Sequence, residues 1–447
     1  MKRRKHISIL LCVAMLLSVA CLFSGCNAST GEGNTSDDAA GSNGSKDQTL
    51  TIWINGSDSY IGPQEQEQTQ ENWYIYQCVD RFKEENPGVD VEIVVQPDGS
   101  AVPQLLKAAA VAGTAPDIVN LWTGENVYAL EDVLLDISDR IPEEDKNNIA
   151  GWDAVTASDG AVLGYPTADN QVTFFLYNKS IITACGLDFE ANPPKTVDEF
   201  NEACQAIKDK GYQAIASDES FPWFYCYIGA YWWLQQSGMD RIHSDCTGET
   251  AFADDAGLIS SLSYYKSLLD NGYLNVDAVT STDSWTKFWQ GDVAMVPEVS
   301  AVLSDAEAAL GAENIGVLFP PEYSTSAQVT GSTIGGPGQC LVISKDCENP
   351  DLAMKFLEFI DSKAEMLELL KFQQIIPTRT DITADEISYA SDPVYEKLLN
   401  MSGNVVYWVD NSLSSDVVQD FYNLLPQILN GQLTPEAYAA NLDSCVG

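Results

Sequence analysis

Residues 103–121, PQLLKAAAVAGTAPDIVNL, contain the helix-to-strand switch that decides the fold. Leu105, Leu106 and Ala109 recur at the spacing of one helix face, so residues 103–112 predict a helix. A Gly-Thr-Ala-Pro-Asp turn interrupts this periodicity, and the apolar run 118–121 that follows it predicts a buried strand.

Two strands and a helix precede this switch. Alternating apolar residues predict strands over 50–54 and 89–95, and apolar residues at helical spacing from Ile75 predict a helix between them. The order strand, helix, strand, helix, strand is typical of a parallel sheet covered by helices, whose ligands bind at the carboxyl ends of the strands. Trp53, Asn55 and Trp122 occupy such ends and are candidate ligand-binding residues.

A second α/β unit follows residue 166. Thr196 and Glu199 predict a capping box at the start of a helix, and Asn349-Pro350 predicts the start of another. The region after that helix predicts helices only. Strands are predicted over 174–177, 214–216, 293–296, 315–319 and 341–343.

The first 26 residues have the pattern of an export signal. A basic head (2–5), an apolar run (7–23) and small residues before Cys26 predict a signal peptide over 1–26. Residues 22–26, LFSGC, resemble the lipobox of bacterial lipoproteins, in which the cysteine carries a diacylglycerol. Cleavage at Cys21 and an uncleaved signal anchor are the alternatives, and each would still hold the protein at the outer face of a membrane.

Residues 27–48 consist almost entirely of small and polar residues, which predicts a flexible linker. About 400 residues follow the linker. Because a single hydrophobic core stops growing well below that size, two lobes are expected.

Charge excludes several functions. Beyond residue 26 the chain has 19 basic and 65 acidic residues, so nucleic acid is not an expected partner. A solvated acidic surface accounts for this balance. Outside the signal His243 is the one histidine, which leaves little material for a histidine-based zinc site or a serine-histidine triad, and no metal or other cofactor is expected.

Eight cysteines lie beyond the signal, and none forms a CxxC pair. An exported chain can form disulfides, but the scattered positions of these residues favour buried free thiols. The eight are Cys78, Cys185, Cys204, Cys226, Cys246, Cys340, Cys347 and Cys445.

A series of short motifs resembles the family 1 extracellular solute-binding proteins, the substrate-capturing lipoproteins of carbohydrate ABC importers. Each motif alone encodes a turn or a cap, and it is their order and spacing that make the resemblance specific. The motifs are FKEENPGV (82–89), AGTAPDI (112–118), YNK (177–179), PKTVDEF (194–200), FWQGDVAM (288–295), and GG (335–336) before LVIS (341–344).

This resemblance implies an α/β fold of the class II periplasmic-binding-protein type. Each of its two lobes would have a mostly parallel sheet flanked by helices, with hinge strands between the lobes and sugar in the cleft. Lobe I is expected to comprise residues 49–166 and 340–390, and lobe II residues 167–339 and 391–447. The implied protein is a monomer on the outer face of the bacterial cytoplasmic membrane, whose partners are an oligosaccharide and the permease subunits of an ABC importer.

The ten tryptophans include the predicted sugar platforms. Sugars present apolar C–H faces ringed by hydroxyls, so their sites combine aromatic rings with amides and carboxylates. Trp223 and Trp232 belong to an aromatic run where the family's second lobe offers stacking residues, and with Trp122 they are the main candidates. Trp408 is a further candidate, and core packing is the alternative for every tryptophan.

Among the polar residues, Asp169, Asn170 and Gln171 follow the first predicted crossing between lobes, which faces the cleft in the family. Glu298 follows the strand 293–296 at another family contact position. Arg379 lies where relatives carry a variable residue that sometimes faces the cleft. The alternatives are turn or cap residues for the first four and a surface charge for Arg379.

Two other functions remain open at the level of sequence. A glycosidase needs only a pair of carboxylates, which sequence spacing cannot exclude in so acidic a chain. The same fold could also bind a polyamine, a metal chelate or an anion. The absence of a nucleophile elbow, a phosphate loop or a metal-binding motif favours a binding protein over an enzyme.

Overall fold

The structure is a computed structural model and describes residues 48–55, 72–96, 101–218, 222–323 and 329–446. The predicted signal peptide, its Cys26 and the predicted linker up to residue 47 lie outside the described residues. Residues Asp47–Gly447 form one compact unit. No helix among the described residues is both long and apolar enough to cross a membrane.

The first half of the sheet has the predicted strand and helix order. It comprises β1 (Gln48–Asn55), α1 (Tyr74–Glu85), β2 (Val89–Gln96), α2 (Val102–Ala112) and β3 (Ile118–Trp122). Strand β1 lies between β2 and β3 and is parallel to both, which confirms the pattern predicted from the sequence.

The middle of the chain adds strands and helices on both sides of a long strand, β4 (Tyr165–Asn178). Before it come α3 (Glu125–Tyr128) and α4 (Glu143–Asn148). After it come α5 (Lys179–Ala184), α6 (Val197–Asp209), β5 (Gln213–Ile215), α7 (Pro222–Phe224), a π-helical turn (Tyr225–Gly229), α8 (Ala230–Ser237), α9 (Met239–Cys246), α10 (Ala256–Asp270), α11 (Ser284–Trp289) and β6 (Val293–Val299).

The last part of the chain contains a second long strand, β8, and helices. Its elements are α12 (Leu303–Leu310), β7 (Ile315–Leu318), β8 (Thr333–Ile343), α13 (Pro350–Ile360), α14 (Lys363–Leu369), α15 (Pro393–Ser402), β9 (Val405–Tyr407), α16 (Ser415–Leu429) and α17 (Pro435–Asp443). The short strand β9 corrects the prediction of helices only, because three residues are too few to show a strand period.

Strands β4 and β8 connect the two halves of the sheet, whose order is β2-β1-β3-β8-β4-β6-β5. The first part of β4, up to Val172, pairs antiparallel with β8, and the part from Thr173 onward pairs antiparallel with β6 and β7. Strand β8 also pairs with β3 on its other side, and β9 pairs with β8. The sheet as a whole is therefore mixed, with parallel pairs within each half.

Local signals in the sequence form the predicted caps. The Thr196 hydroxyl accepts from the Glu199 backbone N–H and the Glu199 carboxylate accepts in return, so the capping box of α6 is confirmed. The Asn349 side chain caps α13, which Pro350 begins. All eight cysteines beyond the signal are unpaired, and most of them are buried.

Candidate functional site

An aromatic cavity of about 310 Å³ lies where β3 and β6 end. Its volume is at the lower end of the range typical of ligand pockets. Rings from four separate parts of the chain line it, together with amide and carboxylate groups. The rings belong to Trp122, Trp223, Tyr227, Trp408 and Tyr422.

Trp223 is the central ring of this aromatic cavity. Its centroid is 6.1 Å from that of Trp122, with the two planes at 83°, and 6.2 Å from that of Tyr227, with the planes at 19°. Tyr422 contacts Trp223 at 5.6 Å, and Trp408 contacts Tyr227 at 5.9 Å. The rings therefore support one another and form a continuous aromatic surface.

Hydrogen bonds fix the backbone on either side of these rings. Thr123, directly after Trp122, donates its hydroxyl proton to the Pro337 carbonyl at 2.7 Å and accepts from the Tyr407 hydroxyl at 2.7 Å. The end of β3 is thereby tied to β8 and β9. The indole N–H of Trp408 donates to the Gly336 carbonyl at 3.4 Å, so this ring is also held against β8.

The polar lining is rich in side-chain amides. The Gln171 amide packs closely against Gly338, where an added Cβ would lie 2.9 Å from Gln171 Oε1. Amides donate and accept in one plane, as sugar hydroxyls require of their partners. The amide residues of the cavity are Gln171, Gln339, Gln373 and Asn411.

Three acidic residues, Glu298, Asp305 and Asp410, also line the cavity, and none of the described residues lining it is Lys, Arg or His. Burial raises the pKa of Glu298 to about 8, the nearby Asp218 carboxylate adds to the increase, and the Trp285 side chain opposes it. Burial also raises the pKa of Asp410, whose Oδ2 accepts from the Tyr422 hydroxyl at 2.9 Å. Glu298 is therefore mostly protonated at neutral pH and can donate as well as accept.

Two more cavities adjoin the aromatic cavity. One, of about 330 Å³, shares Trp122, Trp223, Asp410 and Tyr422 with it and extends toward α2 through Lys107. The other, of about 70 Å³, shares Trp223, Tyr227 and Glu298. The three form a row around Trp223, which lines each of them.

Comparison with known proteins identifies the family. A family model described as bacterial extracellular solute-binding protein matches residues 77–397. The chain belongs to this family. The resemblance noted in the sequence is thus confirmed at the level of extracellular solute-binding proteins.

Other solute-binding proteins are similar at low sequence identity. An uncharacterized ABC transporter extracellular-binding protein of Pyrococcus horikoshii is 22% identical over 376 residues, 82% of this chain and 78% of that protein. A structure from work on xylan utilization by Caldanaerobius polysaccharolyticus has a TM-score of 0.72 at 20% identity, covering 89% of this chain and all of the other. A chitin oligosaccharide binding protein has a TM-score of 0.71 at 21% identity, covering 83% of this chain and 93% of the other. These similarities establish the fold, which is the α/β, two-lobed fold of solute-binding proteins.

Five of the candidate residues of this solute-binding protein line the aromatic cavity: Trp122, Gln171, Trp223, Glu298 and Trp408. They come from β3, β4, α7, β6 and the segment after β9. Elements distant in sequence thus converge on one site.

Four other candidates lie away from it. Trp53 packs against the core beside β3, and Asn55 is buried at the end of β1. Asn170 donates its side-chain amide to the Ser402 carbonyl at 3.4 Å. Trp232 is fully buried, and its indole N–H donates to the Pro321 carbonyl at 2.9 Å. Its ring therefore packs in the core, and its N–H already has a partner within the protein.

Asp169 and Arg379 are buried outside the cavity. Asp169 has no solvent exposure, neither carboxylate oxygen has a hydrogen-bond partner at normal geometry, and burial raises its pKa to about 7, with the Gln171 side chain near enough to oppose the rise. Arg379 is an ion-paired core residue rather than a surface charge: its guanidinium contacts Asp145 at 3.1 Å and Asp381 at 2.8 Å and donates to the Asp361 carbonyl at 2.9 Å.

Sequence reasoning missed Tyr227, Tyr422 and Asp410. Tyr227 lies in the aromatic run that the sequence singled out, but nothing in the local pattern separates it from its buried neighbours. Tyr422 follows Phe421, which belongs to the buried apolar face of α16. An aromatic residue one position beyond such a face was the one sequence signal that could have indicated Tyr422 as a site residue. Asp410 begins a short 3₁₀ turn and gave no signal.

Proposed function

We propose that this protein captures an oligosaccharide in the aromatic cavity and delivers it to an ABC importer without chemical turnover. The observation that carries the proposal is the ring set centred on Trp223, which lies beside four amide side chains. Aromatic faces suit the C–H faces of a sugar ring, and planar amides suit its hydroxyls.

The length of the ligand is inferred from the row of cavities. Trp122 and Trp223 line both of the larger cavities, so one ligand can contact both rings while extending into each space. We therefore infer a ligand of more than one sugar unit. A chitin oligosaccharide binding protein and a protein of xylan utilization among the similar structures support this ligand class.

The lobe boundaries are part of the proposal. With lobe I as 49–166 and 340–390 and lobe II as 167–339 and 391–447, Trp122 and Trp223 belong to different lobes. The pairing of β4 and β8 with both halves of the sheet supports a division of this kind. Closure of the lobes would then press the two rings around the ligand.

Anchoring and partners extend the proposal. Membership of an extracellular family supports an exported protein, and the Pyrococcus horikoshii relative supports an ABC importer as partner. We propose that Cys26 carries a diacylglycerol, since two acyl chains give the stable attachment that one chain does not. Cys26→Ser would then release the protein or leave an unprocessed precursor on fractionation; a processed, membrane-bound variant would contradict the anchor.

A second ligand class is supported by the acidic residues of the cavity. Glu298, Asp305 and Asp410 without a basic partner would suit an amine-bearing solute such as a polyamine. Ionic strength separates the two classes. A neutral sugar should bind with nearly the same affinity above about 0.1 M salt, where screening acts within about 10 Å, whereas a polyamine should bind several-fold more weakly as salt rises.

Calorimetry tests the proposal. The unit Asp47–Gly447 would be titrated with xylotriose, chitotriose, maltotriose, raffinose and spermidine. We expect at least one saccharide to bind with 1:1 stoichiometry and to be recovered unchanged after prolonged incubation. Hydrolysis of the bound saccharide would instead favour a glycosidase.

A further inference from the structure

The aromatic ring set depends on an unusual helical turn. Residues 222–237 form a helical run in which Tyr225–Gly229 is a π-helical turn, with the Ala230 N–H donating to the Tyr225 carbonyl five residues back. Trp223 immediately precedes the turn and Tyr227 lies within it. Because π turns widen the helix and change the register of the side chains that flank them, they are frequent at functional sites.

Gly229 is required by space in this turn. Its φ of −65° is one that any residue adopts, so backbone conformation does not explain a glycine there. An added Cβ would lie 2.3 Å from Cδ2 of the Tyr225 ring. That ring cannot easily move, because its hydroxyl is 2.5 Å from Ser261 Oγ and its centroid is 5.4 Å from that of the Tyr265 ring.

Thr173 fastens the turn to the long strands. Its hydroxyl lies 3.1 Å from the Tyr227 carbonyl, 2.8 Å from the Ile334 carbonyl and 2.7 Å from the Thr333 hydroxyl. A hydroxyl has one proton, so Thr173 shares its donation between the two carbonyls, and either hydroxyl can be the donor between Thr173 and Thr333. Thr173 is on β4, and Thr333 and Ile334 are on β8, so the turn that carries Tyr227 contacts both strands that join the halves of the sheet.

We propose that Gly229 and Thr173 are positioning residues that hold the π turn and thereby set the orientation of Trp223 and Tyr227. Neither residue lines the aromatic cavity. The expected effect on affinity rests on the proposed function, in which the aromatic cavity is the ligand site. The expected effect on the orientation of the rings does not, because that orientation can be measured without ligand. A π turn that merely fills space would affect stability and leave the orientation of Trp223 unchanged.

Fluorine NMR of the ligand-free unit Asp47–Gly447 labelled with 5-fluorotryptophan tests this directly. Trp223→Phe assigns the Trp223 resonance. Gly229→Ala should shift or broaden that resonance and weaken binding of whichever panel saccharide the parent binds by at least tenfold. The matched control is Gly403→Ala, at a glycine with a negative φ and no atom within 4 Å of an added Cβ. This variant should change neither the Trp223 resonance nor the affinity for the saccharide. An unchanged Trp223 resonance in folded Gly229→Ala would overturn the proposal.

Thr173 provides an independent pair of variants, should Gly229→Ala not fold. Thr173→Val removes the hydroxyl at nearly constant shape and should perturb the Trp223 resonance, whereas Thr173→Ser should restore it. Equal spectra for Thr173→Val and the parent would contradict the role of Thr173. If the parent binds none of the panel saccharides, the proposed function fails while the ligand-free spectra still decide the positioning role.

Discussion

The indole rings of Trp122 and Trp223 meet edge to face with their centroids 6.1 Å apart, although the residues are 101 positions apart in the chain. Trp122 ends a strand of the first half of the sheet, and Trp223 lies in the first turn of the helical run that contains the π turn. The contact joins two parts of the fold at the centre of the row of cavities.

Removal of either ring should weaken ligand binding. Buried aromatic contacts at binding sites typically contribute on the order of 2 kcal/mol or more, and each 1.4 kcal/mol is a factor of ten in affinity. Trp122→Ala and Trp223→Ala should each lower affinity tenfold or more in calorimetric titration. Trp73→Ala is the control, because Trp73 is half-buried and lines none of the three described cavities. Equal losses in all three variants would argue against a specific aromatic site.

Glu298 makes the pH dependence of binding informative. Its pKa is about 8 in the free protein. A neutral ligand that covers Glu298 removes more water from it and raises this pKa further, so affinity should fall as pH rises from 7 to 9. A cationic ligand would lower the pKa, and affinity would then rise over the same range. Glu298→Gln should flatten either profile; a pH dependence identical to that of the parent would exclude Glu298 as the titrating group.

Asp169 should destabilise the folded protein at neutral and alkaline pH. The pKa of Asp169 is about 7 in the folded protein and near 4 in the unfolded chain. Between pH 4 and 7 the unfolded chain has released the Asp169 proton while the folded protein still holds it, so the free energy of unfolding falls as pH rises through this range. Asp169→Asn should therefore gain stability relative to the parent as pH rises, by up to about 4 kcal/mol above pH 7. Urea denaturation at several pH values measures the difference. Asp254→Asn, at an exposed position, is the control.

Arg379 should contribute to stability and not to binding. Removing one member of a buried ion-paired group leaves the other charges uncompensated and typically costs about 3–5 kcal/mol. Arg379→Met should lower the free energy of unfolding by roughly this amount, whereas Arg140→Met, which breaks an exposed pair with Asp351, should cost less than about 1 kcal/mol. If the folded fraction of Arg379→Met lost affinity while its stability matched the parent's, Arg379 would be a ligand contact instead.

The sequence predicts the local elements well because their signals are local. The parallel pairing of β1 to β3, the Thr196 capping box and the strand-end position of Trp122 all follow from periodicity and turn residues. The length of β4 was not predictable from its apolar run at 174–177, because its first part is set by pairing with β8, 160 or more residues away.

Which candidate side chains line the aromatic cavity was less predictable, because that too depends on structure that local spacing does not show. Trp223 and Trp232 occur in one aromatic run, and the π turn between them changes the helical register, so spacing alone could not separate a cavity ring from a core ring. Asp169 and Gln171 would share a face in a regular strand. The register shift between Thr167 and Asn170, next to Ala168 with a φ of 58°, places only Gln171 at the cavity.

Titration of the unit Asp47–Gly447 with the saccharide panel, in parallel for the parent and Trp223→Ala, tests the central claim most directly. The account predicts that one oligosaccharide binds the parent with 1:1 stoichiometry, changes its tryptophan fluorescence, and binds Trp223→Ala at least tenfold more weakly, while spermidine gives no heat. Binding of spermidine without any saccharide, or a saccharide bound equally well by Trp223→Ala, would contradict it.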